Sequence, residues 1–138
     1  MNAELPIVAL LIPCTLSEPM KPVRIGHDIA TMYPLLHTRE LTMIPARKFE
    51  NCGLWVDADI LNTGNLTPNL RGVVLAGMAV YGDILFVSHA AGNADQFLSW
   101  EETNPLPFQP CVLQGFSQAV ANSDAGMVMV AKMVEEVM

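Results

Sequence analysis

The sequence has little charge and few basic residues. Only 15% of its 138 residues are charged, 51% are hydrophobic, and the net charge is −7. Residues 72–138 hold a single base, Lys132. Binding to nucleic acid through its phosphates requires a basic patch, so we expect no nucleic-acid partner. An acidic surface that imitates nucleic acid is the alternative that this charge leaves open. The low fraction of charged residues also leaves part of the surface apolar, and a partner or a second copy could cover it.

Long hydrophobic runs are missing as well. The best candidate, LPIVALLIP at residues 5–13, is much shorter than the roughly 18 residues of a membrane span. It has Glu4 beside it and no basic start, so it is not typical of a signal sequence. The three cysteines lie far apart without a C-x-x-C pair, which predicts a reducing compartment and buried thiols. We therefore expect a cytoplasmic protein that does not enter a membrane.

Known catalytic and metal-binding motifs are also absent. The three histidines are dispersed without H-x-x-x-H spacing, and there is no G-x-S-x-G. Ser88 and His89 are neighbours on a predicted strand, where their side chains point to opposite faces. Asp57 and Asp59, two residues apart, could share one face of a strand about 7 Å apart and support acid–base or cation chemistry; solvated acids at a strand end are the alternative. The sequence predicts no metal, no cofactor and no enzymatic activity.

What the sequence does contain is a series of short apolar runs between turn residues. Such runs predict strands at 5–12, 23–25, 40–47, 52–56 and, with most support, 84–89. A helix interrupted by Pro34 is predicted after Gly26, and a short helix over 70–76 with Asn69 as its N-cap. We predict a single small α+β domain with a mixed, mostly antiparallel sheet, one or two short helices and a C-terminal helix.

The chain changes character after the predicted strand at 84–89. HAAGNAD (89–95) is interpreted as a loop, FLSWEE as a short strand or helix start, and TNPLPFQP as a proline-rich connector. Residues 117–138 predict a helix. We accordingly divide the chain into a core at 1–104 and a connector with a terminal helix at 105–138. The apolar stripe of that helix predicts contact with the core, a partner protein or another copy in a homo-oligomer. Its residues are Met127, Val130, Met133, Val134 and Val137.

A ligand site is a further hypothesis. Asn69, Arg71 and Gly72 combine a helix start, one arginine and one glycine, which is a reduced form of a phosphate-binding turn. A nucleotide-like anion would bind there. The alternative is structural, with Asn69 capping the helix and Arg71 pairing with a nearby carboxylate.

The motifs also resemble a known family. The matching positions are Val56-Asp57, Asn69 to Leu75, Gly82 to Val87 and Phe97-Leu98, preceded by LPIVALLIP and PVRIG. Together they resemble an uncharacterised domain-of-unknown-function family of small phage, plasmid and actinobacterial proteins, over about residues 5–102. This chain departs from the family pattern at Gly72, where alanine is usual, and we expect a looser helix there.

The resemblance implies a phage or mobile-element accessory protein in a bacterial host cytosol, a class that acts in counter-defence or host takeover. It brings no catalytic residues with it. The function we expect is non-catalytic binding of a host protein, and the alternative is a small-ligand protein that binds or sequesters a nucleotide-like molecule. The N-L-R-G and Y-G-D motifs are interpreted mainly as features of the fold.

Overall fold

The computed structural model describes residues 6–46, 49–60 and 67–122. Within them the chain forms a six-stranded antiparallel sheet, three α-helices and one 3₁₀ turn. The elements are β1 (Ile7–Ile12), β2 (Lys21–Ile25), a 3₁₀ turn (Ile29–Met32), α1 (Tyr33–Leu36), β3 (Leu41–Pro45), β4 (Cys52–Asp57), α2 (Leu70–Ala76), β5 (Ile84–Ala90), β6 (Asn93–Leu98) and α3 (Pro110–Ala121). The predicted α+β domain with a C-terminal helix is confirmed.

The strand order is β2-β1-β5-β4-β3, and β6 also pairs with β5. The first half of β5 pairs with β1, Leu10 opposite Phe86, and its second half pairs with β6, Phe97 opposite His89. β1 and β6 therefore lie in line along one edge of β5. The amide of Trp100, two residues beyond the end of β6, donates to the Val8 carbonyl of β1 at 3.0 Å.

Both faces of the sheet are buried along the central strand β5, whose first four residues, ILFV, are all apolar and buried. Ile84 and Phe86 face a layer that contains α2, α3 and Trp100. Leu85 and Val87 face the opposite side, where they cluster with Phe97 of β6 and are covered by the 3₁₀ turn and α1. A strand buried on both faces is expected to be a continuous apolar run and not an alternating one, as this strand is.

Two boundaries differ from the sequence-based expectation. The predicted loop over 89–95 is in fact a tight turn at Ala91-Gly92, with Gly92 at φ 75°, followed by β6 from Asn93. The C-terminal helix begins at Pro110 and not at residue 117. Proline suits the first turn of a helix, since its missing N–H has no intrahelical partner there. The last proline of the connector thus starts the helix.

Pro34 has the same role in α1. The predicted helix after Gly26 is split into the 3₁₀ turn, capped by Asp28, and the single turn of α1, with Pro34 in its first positions. α1 ends at His37, which adopts a left-handed conformation at φ 55°. The interruption that Pro34 predicts is therefore present.

Candidate binding groove

Asn69 caps α2 and joins it to two strands. Its side-chain oxygen accepts from the Gly72 amide at 3.0 Å, and its Nδ2 donates to the carbonyls of Ile12 and Gly82. The residue is fully buried. The predicted cap is confirmed, and all three polar functions of the side chain are used within the protein.

Arg71 is a buried arginine that binds the loop after β1. It is 0% exposed, and its terminal nitrogens donate to the carbonyls of Pro13 and Thr15 and to Oε1 of Gln114. Gln114, on α3, also donates to the Leu16 carbonyl at 2.8 Å. Arg71 thus bonds to neutral oxygens and not to the carboxylate that the structural alternative expected. Burial lowers the pKa of its guanidinium, while Cys14, Glu18 and Asp83 act in the opposite direction.

Gly72 lies where α2 approaches the central strand. A Cβ at this position would overlap Cδ1 of Ile84 and lie 3.2 Å from Cγ1 of Val80. Glycine therefore permits close packing of the helix on β5. Because Asn69, Arg71 and Gly72 are all buried and held by the chain itself, the structure places them in the interior beneath the loop after β1, without an open surface for an anion.

The acidic and nucleophilic candidates are also held by local bonds. Asp57 ends β4, and its Oδ1 accepts from the Asp59 amide and from Oγ1 of Thr38, each at 2.9 Å. Asp59 lies in the following turn and not on the strand, so the expected strand pair is not formed. Oγ of Ser88 accepts from Asn104 at 3.1 Å, whereas Nδ1 of His89 lies 2.9 Å from the Ala90 carbonyl.

The cysteines differ from the expectation of three buried thiols. Cys52 is buried, Cys14 is half-buried and Cys111 is exposed. Loss of solvent raises the pKa of the Cys52 thiol to about 11. It also raises the pKa of Cys14, with a further contribution from Asp83. Among the described residues, no group of histidine, cysteine and acidic side chains could hold a metal ion, and no helix is long and apolar enough to cross a bilayer.

A cavity of about 330 Å³ lies at the ends of β1 and β4. Its polar lining consists of Cys14, His37, Asp57 and Asp83. Two carboxylates and no lysine or arginine are present among the described residues that line it, so its charge disfavours a nucleotide.

An apolar concavity lies between α2 and α3. We call it the α2–α3 groove; it measures about 190 Å³ and is lined by Phe49, Val74, Leu75, Phe108, Val112, Leu113 and Phe116. The Phe108 ring packs on Phe86 of the central strand at 5.4 Å between centroids and on Phe49 at 6.0 Å. The floor of the groove is thus fixed to the sheet.

The groove has an apolar rim on α3. Val112 is 61% exposed and Phe116 is 59% exposed, one helical turn apart on the same side of α3. Residues 103–123 contain no charged side chain. A solvent-facing helix normally has a charged or polar outer face. The combination of exposed apolar side chains with an uncharged surface is typical of a site that another molecule covers.

Most residues of this groove were not among the sequence-based candidates. Phe49 and Phe108 come from irregular segments, where periodicity gives no signal. Val112 and Phe116 are four residues apart within an uncharged segment, and this spacing was the one feature of the sequence that indicated an apolar helix surface. The contact residues predicted from the sequence lie outside the described part of the chain. They are Met127, Val130, Met133, Val134 and Val137.

Comparisons with known proteins support the fold alone. No protein-family model matches the sequence, and no curated protein matches it. Among solved structures, the crystal structure of the small RNA methyltransferase HEN1 is similar over 88% of this chain, with a TM-score of 0.53 and 15% identity. The present chain spans 17% of that chain. At this identity the likeness concerns the arrangement of strands and helices.

Proposed function

We propose that the protein is a non-catalytic binding protein that holds a host protein at the α2–α3 groove. The observation that carries this proposal is the exposure of Val112 and Phe116 beside the groove, within a segment that has no charge. The resemblance to small phage and plasmid proteins supports an accessory role in a bacterial cytosol, in counter-defence or host takeover.

The size of the groove supports a protein partner over a small molecule. Its volume of about 190 Å³ is below the roughly 300–1,000 Å³ of typical small-molecule pockets. A volume of that order accommodates an apolar anchor side chain. Protein interfaces concentrate their binding energy in a few such anchors seated in well-packed pockets. The partner that fits is an amphipathic helix with a bulky apolar residue at its centre.

The test begins with capture from host cytosol and ends with purified components. The captured protein is identified, purified and titrated by calorimetry against the intact chain, a Phe116→Glu variant and a Gln118→Glu control. Phe116→Glu places a charge on the rim, whereas Gln118→Glu adds the same charge elsewhere on the exposed surface of α3. We expect at least 30-fold weaker binding for Phe116→Glu, or about 2 kcal/mol, and less than threefold for the control.

Both substitutions lie on exposed positions of α3, so each should change the free energy of unfolding by about 0.5 kcal/mol or less. A purified partner that binds Phe116→Glu as tightly as the intact chain contradicts the proposed site. Failure of every captured protein to bind once purified contradicts the proposed function.

A further inference from the structure

α3 buries only a small part of its own surface. Of its 12 residues, Leu113 and Ser117 are the two that are buried. Leu113 belongs to the same buried cluster as Leu75 of α2, whereas the Ser117 hydroxyl donates back to the Leu113 carbonyl within the helix. Burial of one large apolar side chain offsets little of the conformational entropy that is lost when a whole helix is fixed. Elements with few buried apolar contacts open at low free energy.

A polar contact between Gln114 and Arg71 holds α3 on the core. Oε1 of Gln114 accepts from a terminal nitrogen of Arg71 at 2.8 Å, and Nε2 of Gln114 donates to the Leu16 carbonyl at 2.8 Å. Arg71 also donates to the carbonyls of Pro13 and Thr15. One glutamine side chain thus connects α3 to α2 and to the loop after β1.

The arginine in this contact has lost its water without gaining an ion pair. It is fully buried, the acceptors of its hydrogen bonds are neutral oxygens, and its Nε has no hydrogen-bond partner within the described part of the chain. Burying a charge under these conditions is costly. If α3 moves outward, the nitrogen of Arg71 that loses Gln114 gains water. Breaking this contact therefore returns hydration, which breaking a purely apolar contact does not.

The chain has a hinge point directly before α3. Phe108 packs on Phe86 of β5 and on Phe49, so the connector is anchored to the sheet as far as this residue. Gln109 and Pro110 are both exposed, and the side chain of Gln109, the N-cap of α3, makes no capping bond. Hinges are commonly a few residues at the end of an element. Rotation at Gln109 would move α3 and leave Phe108 in place.

We propose that α3 is a hinged helix, which opens from α2 while the sheet stays folded, and that the contact between Gln114 and Arg71 holds it closed. Opening separates Leu113 from Leu75 and so widens the α2–α3 groove for a bulky apolar side chain of the partner. The inference rests on the proposed function only in this last respect, since opening of α3 needs no partner.

Thiol labelling of the full-length chain tests the opening. In a Cys14→Ser, Cys111→Ser background, Ser117→Cys places a thiol on the buried side of α3. The native Cys52, which is buried on β4, reports on opening of the sheet. Both thiols react with dithiodipyridine under native conditions, and mass spectrometry of the peptides follows each one. Each rate is divided by the rate of the same thiol in the denatured chain, which removes differences in intrinsic reactivity.

We expect the thiol introduced by Ser117→Cys to react about 100-fold faster than Cys52 or more, and its rate to change little in low urea. The reason is that release of one helix exposes far less surface than unfolding of the sheet. Val87→Ala, on the face of β5 opposite the helices, should raise the rate of Cys52 alone, because Val87 stays buried when α3 opens.

A matched pair of substitutions on α3 tests the contact with Arg71. Gln114→Ala should raise the rate of the Ser117→Cys thiol about tenfold or more, because the buried guanidinium loses an acceptor. Gln118→Ala removes the same side chain from an exposed position of α3 and should change the rate less than about threefold.

Hydrogen exchange of the chain without introduced cysteines repeats the test if Ser117→Cys does not fold. A released helix of this length is marginal in water, so amides of α3 should exchange about 100-fold faster than those of β5 or more. Equal rates for α3 and the sheet, by either method, overturn the hinged helix. A fast rate at α3 that Gln114→Ala does not raise overturns the role of Gln114. Neither result affects the proposed host-protein site, which the calorimetric titration tests separately.

Discussion

At the scale of single residues, Gly72 shows how close packing sets the choice of side chain. Alanine at this position would gain about 1 kcal/mol in helix propensity, but its methyl group meets Ile84 and Val80 in a filled interior. Overpacking of that kind costs about 1–3 kcal/mol. The contact with Ile84 thus disfavours alanine at position 72 of this chain, and glycine permits the close contact between helix and sheet.

A double-mutant cycle measures this contact. We expect Gly72→Ala to lower the free energy of unfolding by up to about 2 kcal/mol, the overpacking cost less the gain in helix propensity, and Ile84→Val alone by about 0.5–1.5 kcal/mol. Together they should lose at least 1 kcal/mol less than the sum, since valine lacks the Cδ1 atom that the new methyl meets. Chemical denaturation of the four proteins gives the values.

Val87 provides the control for that cycle, because it lies on the opposite face of β5. Gly72→Ala and Val87→Ala should be additive within about 0.5 kcal/mol. If the Gly72–Ile84 pair is equally additive, the contact does not decide the identity of residue 72.

At the scale of elements, the residue that follows α1, His37, adopts a backbone conformation that histidine does not favour. His37 occupies the left-handed region at φ 55° while its amide donates to the Tyr33 carbonyl. The left-handed region costs a residue with a Cβ about 1–2 kcal/mol, and glycine avoids this cost. Glycine also adds entropy to the unfolded chain, which offsets part of the gain.

His37→Gly should therefore raise the free energy of unfolding by about 0.5–1 kcal/mol. His27→Gly is the matched control, as His27 is exposed and has no positive φ, and it should give no gain. Urea denaturation at neutral pH distinguishes them. A loss of stability at residue 37 would mean that its imidazole has an interaction worth more than the backbone strain.

The elements also show which parts of the fold were predictable. β1, β3, β4 and β5 are apolar runs ended by proline, glycine or aspartate, and their positions agree with the sequence. β6 was missed at its start because Asn93 and Asp95 are polar and the strand is half exposed, so pairing with β5 defines it and composition does not. The start of α3 was missed because its first residue, Pro110, is also the last proline of the connector, and prolines were interpreted as ending helical structure.

The candidate site was less predictable than the fold. The burial of Arg71 could not be identified from its neighbours in sequence. The oxygens that accept its hydrogen bonds come from the loop after β1 and from α3. The α2–α3 groove combines α2, α3 and two phenylalanines from irregular segments, so it exists only once the sheet has formed. The spacing of Val112 and Phe116 was visible in the sequence, but the sequence did not show that both side chains are exposed beside a groove.

At the scale of the whole molecule, the distribution of charge argues against an anionic ligand. Arg71, the arginine of the predicted ligand turn, is buried, and two carboxylates line the cavity at the ends of β1 and β4. We expect no change in melting temperature with ATP, GTP or cyclic nucleotides at millimolar concentration. A ligand present at 100 times its Kd would add about 2.7 kcal/mol of stability, which differential scanning fluorimetry detects easily.

A reproducible stabilisation by one nucleotide would restore the small-ligand alternative. Arg71→Met is then informative only if the variant remains folded, because the loop carbonyls of Pro13 and Thr15 lose their donors. Gln114→Leu removes only one of the arginine's partners and is the milder comparison. Equal nucleotide effects on both variants would place the ligand away from Arg71.

The exposed thiol of Cys111 allows a fluorescent dye to be attached beside the groove, so that binding of a partner can be followed over time. It lies in the first turn of α3, beside Val112, whereas Cys52 is buried and Cys14 is half-buried. A maleimide dye should consequently attach to Cys111 first, without any engineered site. Its emission would report the polarity at the groove entrance, so the native chain already contains the handle for its own binding assay.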